Sequence, residues 1–186
     1  MTLDNVRSVV SEAATKVCWT QWKQLGAGVS GDPGSGRSVI DPEALLLLSF
    51  QLEEHERRLE DMWRWWAKAG SRLTSVQRLL TLADTFPHGS RARIPSFAAA
   101  AYEAGDGMWK RLGVTEAFTM SRRRRKGPEA PSLSTPGTLL LRLRAGFGLG
   151  AKADILAYLL SNVRGDPTIA EVAASTAYSK QAIRLA

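Results

Sequence analysis

A single cysteine, Cys18, stands among 186 residues, so no intramolecular disulfide can form and a reducing interior suits the chain. Histidine is nearly as scarce: His55 and His88 lie far apart and share no metal-ligand spacing. No apolar run approaches the roughly 18–20 residues that a membrane span requires, and the opening MTLDNVRSVVSEA lacks a secretory signal's apolar core. A cytoplasmic location with no membrane partner is therefore expected. Acidic residues thin out towards the C-terminus. Residues 1–120 carry 14 basic and 14 acidic side chains, whereas 121–186 carry 11 and 4, so the whole net charge of +7 sits in the last third. Such asymmetry is the electrostatic footprint expected for a polyanion partner. The plainer account is a solvated basic linker, because Arg122 to Lys126 supplies most of the excess.

Catalytic constellations are missing as well. No nucleophile with a base, no paired carboxylates and no metal cluster rise above background, so neither an enzyme nor a cofactor is expected. The nearest approach is GDPGSGRS at residues 31–38, one substitution from the phosphate-cradling GxxxxGK[ST], with Arg37 in the lysine's place. That pattern works after a buried strand and directly before a helix. Here a polar, glycine-broken run precedes it and Asp41-Pro42 starts the next helix several residues late, so a flexible loop is the reading.

What the chain has in quantity is helical rhythm. From Leu3 to about Leu25, Val6, Val9, Val10, Ala13 and Val17 recur at helical intervals, with Trp19 and Trp22 on one face. Asp41 as cap and Pro42 in the first turn open a long helix expected to reach Ala69, with Leu45, Leu48, Leu52, Leu59, Met62 and Trp66 in its apolar stripe. Near its end Trp63, Trp65 and Trp66 surround Arg64. Stacking on unpaired bases is one use for such a patch, but only Trp63 and Trp66 share a face, and packing in the core or a dimer contact fits them better. Glu53, Glu54, Glu56, Glu60 and Asp61, interleaved with Arg57 and Arg58, read as a salt-bridged face. Further helices follow from Ser71 to Phe86-Pro87, from Phe97 to about Ala104 and near Trp109. Residues 1–120 thus read as a helical bundle of four or five helices. Residues 121–136, SRRRRKGPEAPSLSTP, read as a basic, Pro/Ser-rich linker, and 137–186 as a second region. Its first segment, from Thr138 to Gly150, alternates as a strand would, yet its leucine density favours a helix.

The end of the chain, TIAEVAASTAYSKQAIRLA from Thr168 to Ala186, carries the strongest pattern. Thr168 and Glu171 have the spacing of a capping box, which starts a helix at about Ile169. Ile169, Val172, Ala173 and Thr176 then share a face, and small Ala173 permits a close helix crossing. Ala177-Tyr178 makes the bend and Ser179 caps a new helix. Ile183 points inward while Lys180, Gln181 and Arg184 point outward as donors for base edges and phosphates.

This run, with LGAKADILAYLLSNVRGDPT before it, resembles the helix-turn-helix of bacterial winged-helix regulators, broadly the MarR-like and ArsR-like repressors. The resemblance covers about the last fifth of the chain. It departs from the family in having Ala177 where glycine is usual, and in ending about two turns into the second helix with no wing. It implies a mainly α fold: an N-terminal helical bundle plus a C-terminal, truncated winged-helix-like helix-turn-helix. It further implies a DNA-binding transcriptional regulator or antitoxin-like repressor, dimeric on a two-fold site of double-stranded DNA. Ser179, Lys180, Gln181 and Arg184 would face the groove, and Arg122, Arg123, Arg124, Arg125, Lys126, Arg142, Arg144 and Lys152 would attract phosphates. The alternative is a helical protein-interaction module whose basic tail binds no specific DNA.

Overall fold

A computed structural model describes residues 3–28, 38–113, 130–162 and 165–186, and no strand occurs among them. The order is α1 (Leu3–Gln24), α2 (Pro42–Leu52), α3 (Arg58–Ala69), α4 (Val76–Ala83), α5 (His88–Ala92), α6 (Ile94–Glu103) and α7 (Lys110–Gly113), then α8 (Leu139–Phe147), α9 (Ala151–Ser161), α10 (Ile169–Thr176) and α11 (Lys180–Leu185). The expectation of a mainly α chain holds. The glycine-rich loop motif, apart from its last residue Ser38, and the Arg122–Lys126 run fall within residues 29–37 and 114–129, outside the described residues.

The single long helix expected from Pro42 to Ala69 is two. No proline or glycine marks the break at Glu53–Arg57, so its cause is tertiary. The break lets α3 fold back so that it packs on both α2 and α6 and buries Leu59, Met62, Trp63 and Trp66 in the core. The turn is fastened from inside: the Trp63 indole N–H donates to Glu53 Oε2 at 3.4 Å, and Arg93 pairs with Glu53 Oε1 at 2.9 Å. The helix expected from Ser71 is likewise divided. A short 3-10 turn at Ser71–Leu73 precedes α4, whose cap is Ser75 Oγ accepting from the Arg78 N–H. Directly after Pro87, in a stretch to which the sequence pattern assigned no helix, the short α5 forms.

The core is aromatic. Trp22, Trp63, Trp66, Trp109 and Phe97 are fully buried, so core packing accounts for Trp63 and Trp66 and neither is a stacking platform or a dimer contact. Rings meet edge-on at Phe97–Trp109 (centroids 4.9 Å apart) and Phe50–Trp63 (5.7 Å), the arrangement that the aromatic quadrupole favours. Cys18 lies in the same core, and burial pushes its thiol up to about 11, so it is unreactive in the folded chain. The acidic stretch is salt-bridged as expected, with Arg58–Glu56 at 2.7 Å and Arg64–Glu60 at 2.6 Å.

The C-terminal helices share this body. Leu141 of α8 belongs to the main core, and within the expected linker Ser132 N–H donates to Leu25 C=O at 2.8 Å. Gly137 is placed where a Cβ would come within 2.4 Å of Gln24 Oε1, and its carbonyl accepts from Ile40 N–H at 2.7 Å. The segment entering α8 is therefore laid closely against the end of α1 and the start of α2.

Candidate functional site

The α10–α11 hairpin is built as the sequence implies. Thr168 Oγ1 accepts from the Glu171 N–H at 3.3 Å, while Glu171 Oε2 accepts from the Thr168 N–H at 2.7 Å, completing the capping box. Val172, Ala173 and Thr176 are buried on the inner face, and Ile169 is exposed at the helix start. Ala177 then takes the left-handed conformation, φ 57° and ψ 31°, and is the one described non-glycine residue with positive φ. Ser179 stops the turn by accepting the Ala182 N–H at 3.1 Å, and α11 begins.

A left-handed backbone costs a residue with a Cβ about 1–2 kcal/mol, part of which glycine would return as unfolded-state entropy. Ala177→Gly is accordingly expected to stabilise the chain by about 0.5–1 kcal/mol, raising the melting temperature by roughly 1–4 °C in a thermal scan. A lower melting temperature would show that the Ala177 methyl contributes more by packing than it costs in strain.

The outward residues are where the helical wheel puts them. Lys180, Gln181 and Arg184 are exposed, and neither cation pairs with a carboxylate among the described residues. Ser179 is exposed too, but its hydroxyl is engaged as the cap. Arg142 and Lys152 are exposed on α8 and α9, and α9 packs on both α10 and α11.

Arg144 is not on that surface. Its side chain is fully buried, and its guanidinium is shared between two carboxylates. Nε and Nη2 meet the two oxygens of Asp154 at 2.8 Å each, while Nη1 and Nη2 meet those of Glu43 at 2.7 and 3.1 Å; Nη1 also donates to Leu73 C=O at 2.8 Å. The physical reason is its register: Arg144 follows Leu140 by four residues and Leu141 by three, on the face that α8 buries. Arg142 falls on the opposite face.

A second buried arginine completes the cluster. Arg78 Nη1 reaches Asp41 Oδ1 at 2.7 Å and Glu43 Oε2 at 2.6 Å, and its Nε donates to the carbonyl of Thr176 at 2.7 Å. Two arginines thus face three carboxylates from α2, its cap and α9. Burial penalises both guanidinium charges, yet the carboxylates outweigh it and hold the pKa of Arg78 and Arg144 above the ordinary arginine value. Burial pushes the Glu43 carboxyl up. For Asp41 burial also acts upwards, but the hydrogen bonds and charge of Arg78 prevail and hold it below the usual carboxylate range.

The bond to Thr176 links this cluster to the hairpin. It satisfies a carbonyl of the last turn of α10, one residue before the left-handed bend, from a side chain 98 positions away. Beside it an open groove of about 630 Å³ runs between α4 and the hairpin, lined by Gln77, Thr81 and Thr85 on one side and Ala174, Ser179 and Ala182 on the other. The Tyr178 hydroxyl is buried near the cluster without a partner among the described residues; burial, then the Asp154 charge, pushes it up to about 12. No group of three or more metal-ligating side chains occurs among the described residues. No protein-family model, curated protein or solved structure matches the chain.

Proposed function

We propose that the chain binds double-stranded DNA through α11, as a transcriptional regulator or antitoxin-like repressor. The observation that carries this reading is the geometry of the turn: a left-handed Ala177 and a capping Ser179 start a helix whose outer face offers Lys180, Gln181 and Arg184 without carboxylate partners among the described residues. Amide and guanidinium tips in the first turns of such a helix are the groups that read base edges in a major groove. The held carbonyl of Thr176 supports the same reading, because a recognition helix needs a rigid base. Arg142 and Lys152, exposed on neighbouring helices, would add attraction to phosphates, as would the 122–126 run.

The test is a titration against a duplex selected from a random pool. Arg184→Ala is expected to weaken binding about 5- to 150-fold and to relax preference at one base pair, the effect of losing a bidentate base contact of roughly 1–3 kcal/mol. Lys180→Ala, if it loses one phosphate contact, should flatten the slope of log K against log salt by about 0.9. Neutralising Arg122, Arg123, Arg124, Arg125 and Lys126 together should weaken all duplexes alike. Failure to shift any duplex at low salt would end the proposal.

A helical protein-interaction module is the second reading, favoured by the exposed apolar side chains of Leu159 and Leu160 on α9 and Leu185 on α11, close to the hairpin. It would take over on that negative result.

A further inference from the structure

The α10–α11 hairpin rests on α9, on which both of its helices pack, while the open groove separates its other flank from α4. That groove leaves the hairpin room to tilt. Arg78, a residue of α4 that lines the groove and is only 4% exposed, reaches across to it. The two ends of its guanidinium have different partners. Nη1 meets Asp41 and Glu43 at 2.7 and 2.6 Å and Nη2 meets Asp41, so the group is pinned to α2 and its cap. Nε, 3.5 Å from Asp154 Oδ2, donates to the Thr176 carbonyl at 2.7 Å.

The acceptor sits where it governs the shape of the hairpin. A carbonyl in the last turn of a helix has no amide of its own helix to receive. Thr176 is the last residue of α10, directly before the left-handed Ala177, and its own hydroxyl is engaged by Val172 C=O at 2.7 Å. The direction of its carbonyl therefore sets where the bend begins. Only Ala177, Tyr178 and Ser179 then separate it from α11, so the axis of α11 follows from it.

We infer that Arg78 is a positioning residue, which latches the hairpin to the ionic cluster and so sets the tilt of α11 without itself touching a partner. Asp41 and Glu43 act through it, by holding the guanidinium still. The latch is a matter of contacts within the chain, whereas its bearing on base preference rests on the DNA reading. Base edges are read by donors held to within about 0.5 Å, while attraction to phosphates survives a displacement of that size. Loosening the latch should thus separate sequence preference from general affinity.

The experiment compares Arg78→Lys with Arg144→Lys in the intact chain. Both keep a positive charge in the same cluster, but lysine has no counterpart of Nε, and Arg144 donates to Glu43, Asp154 and Leu73 rather than to the hairpin. A merely structural role would make the two variants alike. With α3 amides as internal reference, amides in the last turn of α10 should exchange about tenfold faster in Arg78→Lys than in Arg144→Lys. The affinity ratio of the selected duplex over a random one should fall about tenfold in Arg78→Lys and stay at the wild-type value in Arg144→Lys. Random-duplex affinity should stay within about twofold in both. Asp41→Asn, which keeps a cap for α2 and leaves Arg78 in place, should move both readouts the same way by less. Equal exchange in the two lysine variants would overturn the latch. An unchanged duplex ratio in Arg78→Lys, where the wild type does discriminate, would overturn its role in base preference. A wild type that shifts no duplex would remove the DNA reading alone, and the exchange comparison would still decide the latch.

Discussion

Arg144→Ala is expected to lower the unfolding free energy by about 3–5 kcal/mol, a large part of the roughly 5–15 kcal/mol that folded domains of this size possess. The magnitude follows from what stays behind. Glu43 and Asp154 each lose the guanidinium that meets both of their oxygens, and the Leu73 carbonyl loses its donor, all inside the protein. Arg78 remains, but one arginine then faces three buried or half-buried carboxylates. An uncompensated buried charge is far more costly than the intact pair is favourable. Arg144→Met combined with Asp154→Leu should therefore recover part of the loss, because the second change removes one stranded carboxylate. Arg144→Lys should fall between, since an ammonium group keeps the charge but has three N–H donors and cannot meet both oxygens of both carboxylates and the Leu73 carbonyl at once. Urea unfolding followed by circular dichroism at 222 nm reads all of these. An Arg144→Ala variant within about 1 kcal/mol of wild type would mean that the cluster contributes little and that water reaches it.

That residue also shows where one-dimensional reading reached its limit. In a region of net charge +7, Arg144 and Arg142 carry the same chemistry, and composition assigns both to the basic surface. A signal that separates them was nevertheless present, since Arg144 stands on the Leu140 and Leu141 face and Arg142 does not. Arg78 gave no such warning. Its partners Asp41, Glu43 and Thr176 lie 37, 35 and 98 positions away, and nothing local encodes such pairings. Much local chemistry, by contrast, was legible: the Thr168–Glu171 box, the Ser179 cap and the Asp41 cap depend on atoms within three residues of one another, although the equally local Ser75 cap of α4 was passed over for a start at Ser71. The break between α2 and α3 was hidden for the same reason that Arg78 was. It is enforced by Trp63 and Arg93 closing on Glu53, not by a helix-breaking residue. In α1 the apolar repeat was correctly seen as a helix, but periodicity alone does not tell a face buried in the core from one left open, and Val9, Val10 and Val17 are open.

The second large effect is expected at Trp66. The residue is fully buried, its ring centroid lies 6.0 Å from that of Trp22 and 5.9 Å from that of Trp65, and its indole N–H donates to Thr74 Oγ1 at 2.8 Å. Packing around it is tight enough that a Cβ on Gly70 would come within 2.4 Å of the indole, so only glycine fits there. Trp66→Ala is expected to cost about 3–5 kcal/mol through lost burial and a cavity that a core made of other large rings cannot close. Trp66→Phe keeps most of the ring and loses the hydrogen bond, while Thr74 Oγ1 still donates to Gly70 C=O at 3.2 Å; about 1–2 kcal/mol is expected for that change. The consequence extends beyond stability, because Trp22 is one of the few residues that fix α1 to the body. Loss of the Trp66 ring should therefore loosen the base of the exposed arm before the α10–α11 hairpin, which is held separately through Arg78 and Thr176. Hydrogen exchange resolves the order: in Trp66→Ala, amides of the second half of α1 should lose protection first, and amides of α10 should lose theirs only with global unfolding. Simultaneous loss in both would show that the aromatic core and the charge cluster form one cooperative unit.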